Sequence, residues 1–463
     1  MVADTVEPPG VAPAQAPDPP RARWVRRWRA AWFEVSLIVA GLLANALLLP
    51  HENRLDGWVR FTTLSDLLGS GRMPYMKYSM VGPILAAPLW WLGKLVLGPE
   101  WWVLRFNTVV LGIGLLAMYR LLRTRVDAGL LRRFFLLVVV ASMFTNHLRF
   151  FYGEVFTAVL VAVGCVVMVV GPRLEGWAVV VAGVVNTPAT IAGLATLSIR
   201  QVLRTRRFRH LLVLPVAGVL LLFLNWVQRH GPLDFGYADD HGGRTVMPYS
   251  GQSGLSNPLF FGVLALLFSF GKGLLFFASG LLLPVRRTAD REAADEPVVT
   301  LYRTWLSFLV GLVVIYAMYW SWHGGYFWGP RYLLFAAVPA SFALALRLHR
   351  PAASVAGKLG TILVLCLSLW VGINGAVYGD EALFPVCMAD PAIEVPLCYH
   401  TPEFSVLWYP FRVYQSLSAG QLVYLAYSVL VGLYLLVPLL VATWRQVVSA
   451  AREGGWSIRT FRI

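Results

Sequence analysis

Ionisable residues are sparse in this chain, and where they gather they carry the ingredients of proton transfer and anion stabilisation. The run His51-Glu52-Asn53-Arg54-Leu55-Asp56-Gly57-Trp58-Val59-Arg60 sets two carboxylates four residues apart, on one face if the run is helical. Lys77 and Tyr78 follow a Gly/Pro-punctuated stretch, and Asn146 to Glu154 places His147, Arg149 and Glu154 between two apolar runs. Further along, Gly271-Lys272-Gly273 sets a lysine between glycines, and Trp322-His323-Gly324-Gly325-Tyr326-Phe327-Trp328-Gly329-Pro330-Arg331-Tyr332 ends on an arginine and a tyrosine. A carboxylate can take a proton and a fixed cation can hold an anion. Each motif also has a plainer reading. The first run is a solvated loop, Glu154 favours a helix N-terminal dipole, Lys272 and Arg331 snorkel to lipid phosphates, and the aromatics form an interfacial belt. Nucleotide chemistry is excluded at Lys272, because the GxxxxGK[ST] spacing is missing. Asp239, Asp240 and His241 match no calcium-loop spacing, so no metal site is expected, and a divalent cofactor is not called for.

The elements that position these residues are set by composition. Of 463 residues, 58% are hydrophobic and 14% charged, with mean hydropathy +0.64, against roughly a quarter charged in a soluble domain. The apolar runs are long and unbroken, so they are helices and not barrel strands. Full spans are expected near 33–50, 102–119, 134–148, 155–171, 211–228, 273–285, 304–320, 332–347, 360–378 and 420–443. Residues 177–198, interrupted at Asn186-Thr187-Pro188, read as a re-entrant hairpin, and 79–97 and 259–270 as interface helices. The expected fold is an all-α polytopic membrane protein of about ten spans. A basic tail, 1–32, disordered through its Pro/Ala-rich start, precedes a membrane domain, 33–443, with outer loops 51–101, 229–258 and 379–419, and a second tail, 444–463, follows.

The net charge of +15 has a topological explanation that needs no nucleic acid partner. On this span order, 27 of the 39 Lys and Arg residues fall on one face and 12 on the other, while the acids divide 11 and 13. The faces carry +16 and −1, and the positive-inside rule then makes both termini cytoplasmic. The N-terminal apolar run is long enough to span and has no small-residue cleavage pattern, so it is read as an anchor and not as a signal peptide. Cys165 and Cys366 lie within apolar helices, whereas Cys387 and Cys398 share the loop 379–419 on the oxidising side and are expected to form a disulfide.

Taken in order, the motifs resemble the GT-C superfamily of integral-membrane glycosyltransferases. The resemblance rests on Asp56-Gly57…Arg60, Lys77-Tyr78…Gly82-Pro83…Pro88-Leu89, Glu154, Phe268-Ser269…Gly271-Lys272-Gly273-Leu274 and Trp322…Gly324-Gly325…Trp328-Gly329-Pro330-Arg331-Tyr332-Leu333…Pro339, spread over residues 33–345. Phe270 stands where the resembling bacterial branch usually has Pro, and the C-terminal soluble domain of many relatives is not expected. The resemblance implies a polyprenyl-phosphate sugar donor, a glycan, lipid or protein acceptor, an active site facing outward from the plasma membrane, and inversion at the anomeric carbon, mostly without metal. It implies Asp56 as the base, Glu52 as its fallback, and Glu154 as the residue orienting the acceptor or Asp56. Arg331 and Lys272 would meet the lipid phosphate, with Lys77, Arg149, Arg60, His323 and Tyr332 as further substrate-binding residues. The competing class, a transporter or lipid flippase, would set ionisable residues at midspan on broken helices, often with an internal repeat. No repeat is evident, and Asn186-Thr187-Pro188 is the one break such a protein would use.

Overall fold

The computed structural model describes residues 20–171, 173–237, 240–285, 296–390 and 394–452. The expected tail disorder over 1–19, Asp239, and the basic residues of 286–295 and 453–463 lie outside the described residues. So do the side chains of Arg21 to Arg29.

Among the described residues the chain is helical, without a β-sheet. Eight segments among the described residues are long and apolar enough to cross a membrane: Ala30–Leu48, Pro99–Leu122, Gly153–Val170, Phe208–Arg229, Glu296–Met318, Arg331–His349, Val355–Tyr378 and Ala419–Arg452. These account for eight of the ten expected spans. The other two runs are broken, each for a local reason. Residues 134–148 form α7 (Ala128–Val140), a turn, and α8 (Phe144–His147). Ser142 donates from Oγ to the Val138 carbonyl (2.6 Å) and accepts from the Phe144 amide (3.2 Å), so side-chain bonds compete with the helical ladder. Residues 273–285 give one helical turn, Leu274–Phe277, and a 3₁₀ turn, Ser279–Leu282, separated at Ala278.

Helices α1 (Pro20–Leu48), α2 (Asp56–Ser70), α3 (Val81–Leu85), α4 (Ala87–Leu95), α5 (Pro99–Val103) and α6 (Phe106–Leu122) precede α7. The first run of 79–97 is thus two short helices, as expected of an interfacial segment, and 259–270 gives one, Leu259–Phe268. After α8 come α9 (Gly153–Val170), α10 (Arg173–Asn186) and α11 (Ile191–Thr205). The hairpin expected around Asn186 is the α10–α11 pair. A Cβ on Gly164 would lie 2.8 Å from the Gly176 carbonyl, and one on Gly176 the same distance from that of Gly164, so glycine lets α9 and α10 pack backbone to backbone. Asn186 donates to the Gly153 carbonyl (2.9 Å) and to Thr157 Oγ1 (3.1 Å) and accepts from the Gly82 amide (3.0 Å). Its polar atoms are thereby spent on clasping α3, α9 and α10, not on lining a path.

The two ends of the bundle differ. At one end Glu34 accepts from Arg132 (2.5 Å) and Tyr434 (2.9 Å), and Asp127 faces His349 (3.6 Å). At the other lie the beginnings of α2, of α9 and of the segment starting at Arg331, together with the loop after Tyr378. All of the candidate site residues are at this second end.

Candidate active site

The site is built from four segments far apart in sequence. Leu55 holds a positive φ of 50°, unusual for a branched side chain, and this bend starts α2 at Asp56. The Asp56 carboxylate accepts from the Tyr78 hydroxyl at Oδ1 (2.7 Å) and from Arg331 Nη1 at Oδ2 (2.8 Å). Arg331 Nε lies 3.7 Å from Glu154 Oε1, in the first turn of α9, so one guanidinium stands between two carboxylates. All three side chains are largely buried, at 15%, 8% and 14% exposure for Asp56, Arg331 and Glu154. The Phe327 ring packs 3.6 Å from the guanidinium carbon, and Tyr332 stacks on Tyr316 with ring centres 4.4 Å apart.

Burial alone would raise the Asp56 carboxyl, but the facing Arg331 charge and the Tyr78 hydrogen bond outweigh it and hold the group below its ordinary value. Asp56 is therefore ionised at neutral pH. The Tyr78 hydroxyl is pushed up, by burial and then by the Asp56 charge, and stays a donor.

Arg331 reaches this position because the loop before it is tightly wound. Gly324, Gly325 and Gly329 have φ of 77°, 76° and 61°, the left-handed region glycine adopts without penalty. The loop wraps around Lys272, whose ammonium donates to the carbonyls of Gly325 (3.0 Å), Gly329 (2.9 Å) and Phe327. Lys272 is 2% exposed and forms the hub of the loop that delivers Arg331. His323 is buried in the same loop, stacked on Tyr399 (4.6 Å) and accepting from the Gly325 amide (3.0 Å). Burial, then the Lys272 charge, lowers it to about 3, so it is neutral and adds no cation. Phe270, the departure from the family pattern, stacks on Phe276, and its carbonyl accepts from Ser405 (2.6 Å).

The remaining candidates form neighbouring clusters. Arg60 donates to the Ser79 carbonyl (3.0 Å) and lies 5.1 Å from the Tyr78 ring, one contact from Asp56. Lys77 pairs with Asp240 and sits over the Tyr237 ring (4.9 Å). Glu52 faces Arg54 (3.3 Å) and Arg149 (3.9 Å), and Arg149 bonds Glu381 (3.0 Å) and the Pro50 carbonyl (2.9 Å). Arg54 pairs with buried Asp380 at 2.5 Å. Burial, reinforced by the Glu381 charge, raises both Glu52 and Asp380 against the pull of the arginines. Cys387 and Cys398 are joined, stapling the loop that supplies Asp380 and Glu381. Among the described residues no group of three or more His, Cys, Asp or Glu side chains gathers to hold a metal.

Sequence reasoning did not single out Tyr78 and Phe327, which contact Asp56 and Arg331, or the neighbouring Arg54–Asp380 pair. Tyr78 stood beside Lys77 in a motif, and its hydroxyl was the available signal. Asp380 and Arg54 are 326 positions apart, and no spacing rule joins them.

No protein-family model matches the chain. No curated protein matches it either. Among solved structures, ArnT from Cupriavidus metallidurans bound to undecaprenyl phosphate is similar, with a TM-score of 0.51 and 14% identity over 90% of this chain and 78% of that one. The apo form of the same protein aligns at 0.48, with the same identity and coverage. The chain thus shares the helical fold of ArnT, with Asp56, Arg331 and Glu154 meeting at one end of it.

Proposed function

We propose that this protein is a membrane glycosyltransferase that moves a sugar from a polyprenyl-phosphate donor to an acceptor hydroxyl, with inversion. The observation that carries the reading is the Asp56–Arg331–Glu154 arrangement, a carboxylate and a buried cation in contact within a fold shared with a protein solved with undecaprenyl phosphate. The excess of basic residues at the opposite end supports cytoplasmic termini, a plasma-membrane location and an outward-facing site.

The geometry supports the following sequence. The donor phosphate competes with Asp56 for Arg331, and Glu154 keeps the guanidinium in place. As Arg331 turns toward phosphate, Asp56 loses the charge that depresses it, and its basicity rises when the donor is bound. The Asp56 carboxylate takes the proton of the acceptor hydroxyl as that oxygen attacks the anomeric carbon. The bond from carbon to phosphate oxygen breaks with its electron pair staying on phosphate, and Arg331 balances the added charge. A single displacement needs no covalent intermediate and inverts the centre. Lys272 and His323 hold the loop, and Tyr78 aligns Asp56.

The test is transfer by the purified protein in nanodiscs from a panel of radiolabelled polyprenyl-phosphate sugars, with membrane extract as acceptor and Asp56→Asn in parallel. The reading expects transfer from at least one donor and a loss of about 10²- to 10⁴-fold in the variant, the range for a general base. Transfer undiminished by the substitution moves the base to Glu52 or Glu154. Absence of transfer from every donor favours the transporter alternative.

A further inference from the structure

The loop before Arg331 touches the arginine itself. A Cβ on Gly324 would lie 3.0 Å from Arg331 Cγ and 3.5 Å from its Nε, so the Gly324 backbone is the surface on which the arginine stem rests. The Phe327 ring lies 3.6 Å from the guanidinium carbon. Between these two contacts in the chain stands Gly325. Its carbonyl accepts from Lys272 (3.0 Å) and also from the Tyr399 hydroxyl (2.9 Å). Its amide donates to His323 Nδ1 (3.0 Å), and the His323 ring stacks on that of Tyr399 at 4.6 Å. The Lys272 ammonium lies 4.9 Å from the same ring. One side chain, 4% exposed, thus bonds Gly325 and packs on both Lys272 and His323, which bond Gly325 as well.

Tyr399 is in turn fixed by its own segment. Its carbonyl accepts from the Gly271 amide (2.9 Å). Cys398, the residue before it, is joined to Cys387, and a Cβ on Gly271 would lie 2.5 Å from the Cys398 carbonyl. The bridged segment therefore lies directly on the Gly271-Lys272-Gly273 run. Ser405 donates to the Phe270 carbonyl (2.6 Å). Asn374, which accepts from Trp328 (2.7 Å), donates to the Val406 carbonyl (2.9 Å). The backbone from Cys398 to Val406 is thereby tied to residues 270–273 and, through Asn374, to residues 322–330, the two runs that place Arg331.

We propose that Tyr399 is a positioning residue for Arg331, acting through Gly325, and that the Cys387–Cys398 bridge holds it in place for that role. The proposal rests on the transferase reading only for what Arg331 then does to a phosphate. Its readout is Asp56, which the Arg331 charge keeps ionised; a displaced Arg331 lets burial dominate, and the carboxyl rises. The other groups facing Asp56 are Tyr78, Arg60, Tyr152, Tyr237, Tyr332 and, across Arg331, Glu154, and all of them remain in Tyr399→Phe. The experiment is an infrared difference titration of the protein in nanodiscs, the Asp56 carbonyl band being the one absent from Asp56→Asn, with thermal unfolding alongside. Tyr399→Phe keeps the ring and leaves Gly325 its bond from Lys272. It is expected to melt close to wild type while the Asp56 midpoint moves upward by at least about half a pH unit. Cys387→Ala/Cys398→Ala is expected to shift it at least as far. In an Arg331→Gln background the Tyr399→Phe shift is expected to vanish, because its route is gone. An unmoved midpoint in Tyr399→Phe, with or without a lowered melting temperature, or a shift that persists without Arg331, would overturn the proposal. An unmoved midpoint in the cysteine variant overturns the role of the bridge. An undecaprenyl phosphate titration is run beside these, and binding about threefold to tenfold weaker in Tyr399→Phe, the worth of one hydrogen bond, is the supporting result. The midpoint shift without undecaprenyl phosphate binding by wild type upholds the positioning role and sinks the transferase reading instead.

Discussion

Replacing Lys272 by Met separates a loop-building role from a phosphate-binding one. The lysine is 2% exposed, and its ammonium serves the carbonyls of Gly325, Phe327 and Gly329. Methionine has nearly the same length and none of the donors, so the change creates little cavity and strands three carbonyls. A buried acceptor left unpaired costs about 1–3 kcal/mol, and the wild-type ammonium has already lost its own solvation, which offsets part of the loss. The net expected destabilisation is about 3–5 kcal/mol, with the loop before Arg331 unwinding first. Thermal unfolding in detergent, followed by tryptophan fluorescence, reads the loss, since Trp322 and Trp328 lie in this loop. Limited proteolysis then shows whether cleavage begins between 322 and 330. The reasoning is refuted if Lys272→Met melts with wild type while undecaprenyl phosphate affinity collapses, because that pattern belongs to a lysine touching the lipid phosphate.

Other expectations follow from the same geometry. Because Asp56 is held below its ordinary carboxylate value, its stabilising contribution is present above the unfolded value and is lost only as pH falls through the lower folded one. The acid limb of kcat/KM for transfer is therefore expected below the ordinary carboxylate range, and Arg331→Gln should move it upward by letting burial dominate; a pH–rate series on both proteins checks the sign. Glu154→Gln loosens Arg331 without removing it, and transfer at saturating donor is expected to fall about tenfold, measured as single-turnover rate. The double substitution Cys387→Ala/Cys398→Ala frees the loop carrying Asp380 and should lower stability by about 2–4 kcal/mol, read by the same unfolding assay.

What was legible in the sequence follows from how costly polar residues are in an apolar chain. Asp56, Glu154 and Arg331 stand at the ends of apolar runs, where no helix needs them, and the fold brings all three together. The eight long helices were visible as unbroken hydrophobic runs for the same reason. The runs at 134–148 and 273–285 misled because hydropathy counts side chains and not hydrogen-bond competition. Ser142 breaks α7 through bonds that composition does not display. The loop-holding contacts of Lys272 were not legible, because its partners are backbone carbonyls, which have no sequence signature. The Arg54–Asp380 pair was hidden by its separation of 326 positions.

The account turns on one guanidinium shared between Asp56 and an incoming phosphate. The most direct measurement is undecaprenyl phosphate affinity of wild type, Arg331→Gln and Asp56→Asn in nanodiscs at neutral pH. The account predicts weaker binding by at least tenfold in Arg331→Gln and tighter binding in Asp56→Asn, where the carboxylate no longer competes for Arg331. Wild-type affinity in Arg331→Gln, or weaker binding in Asp56→Asn, would contradict it.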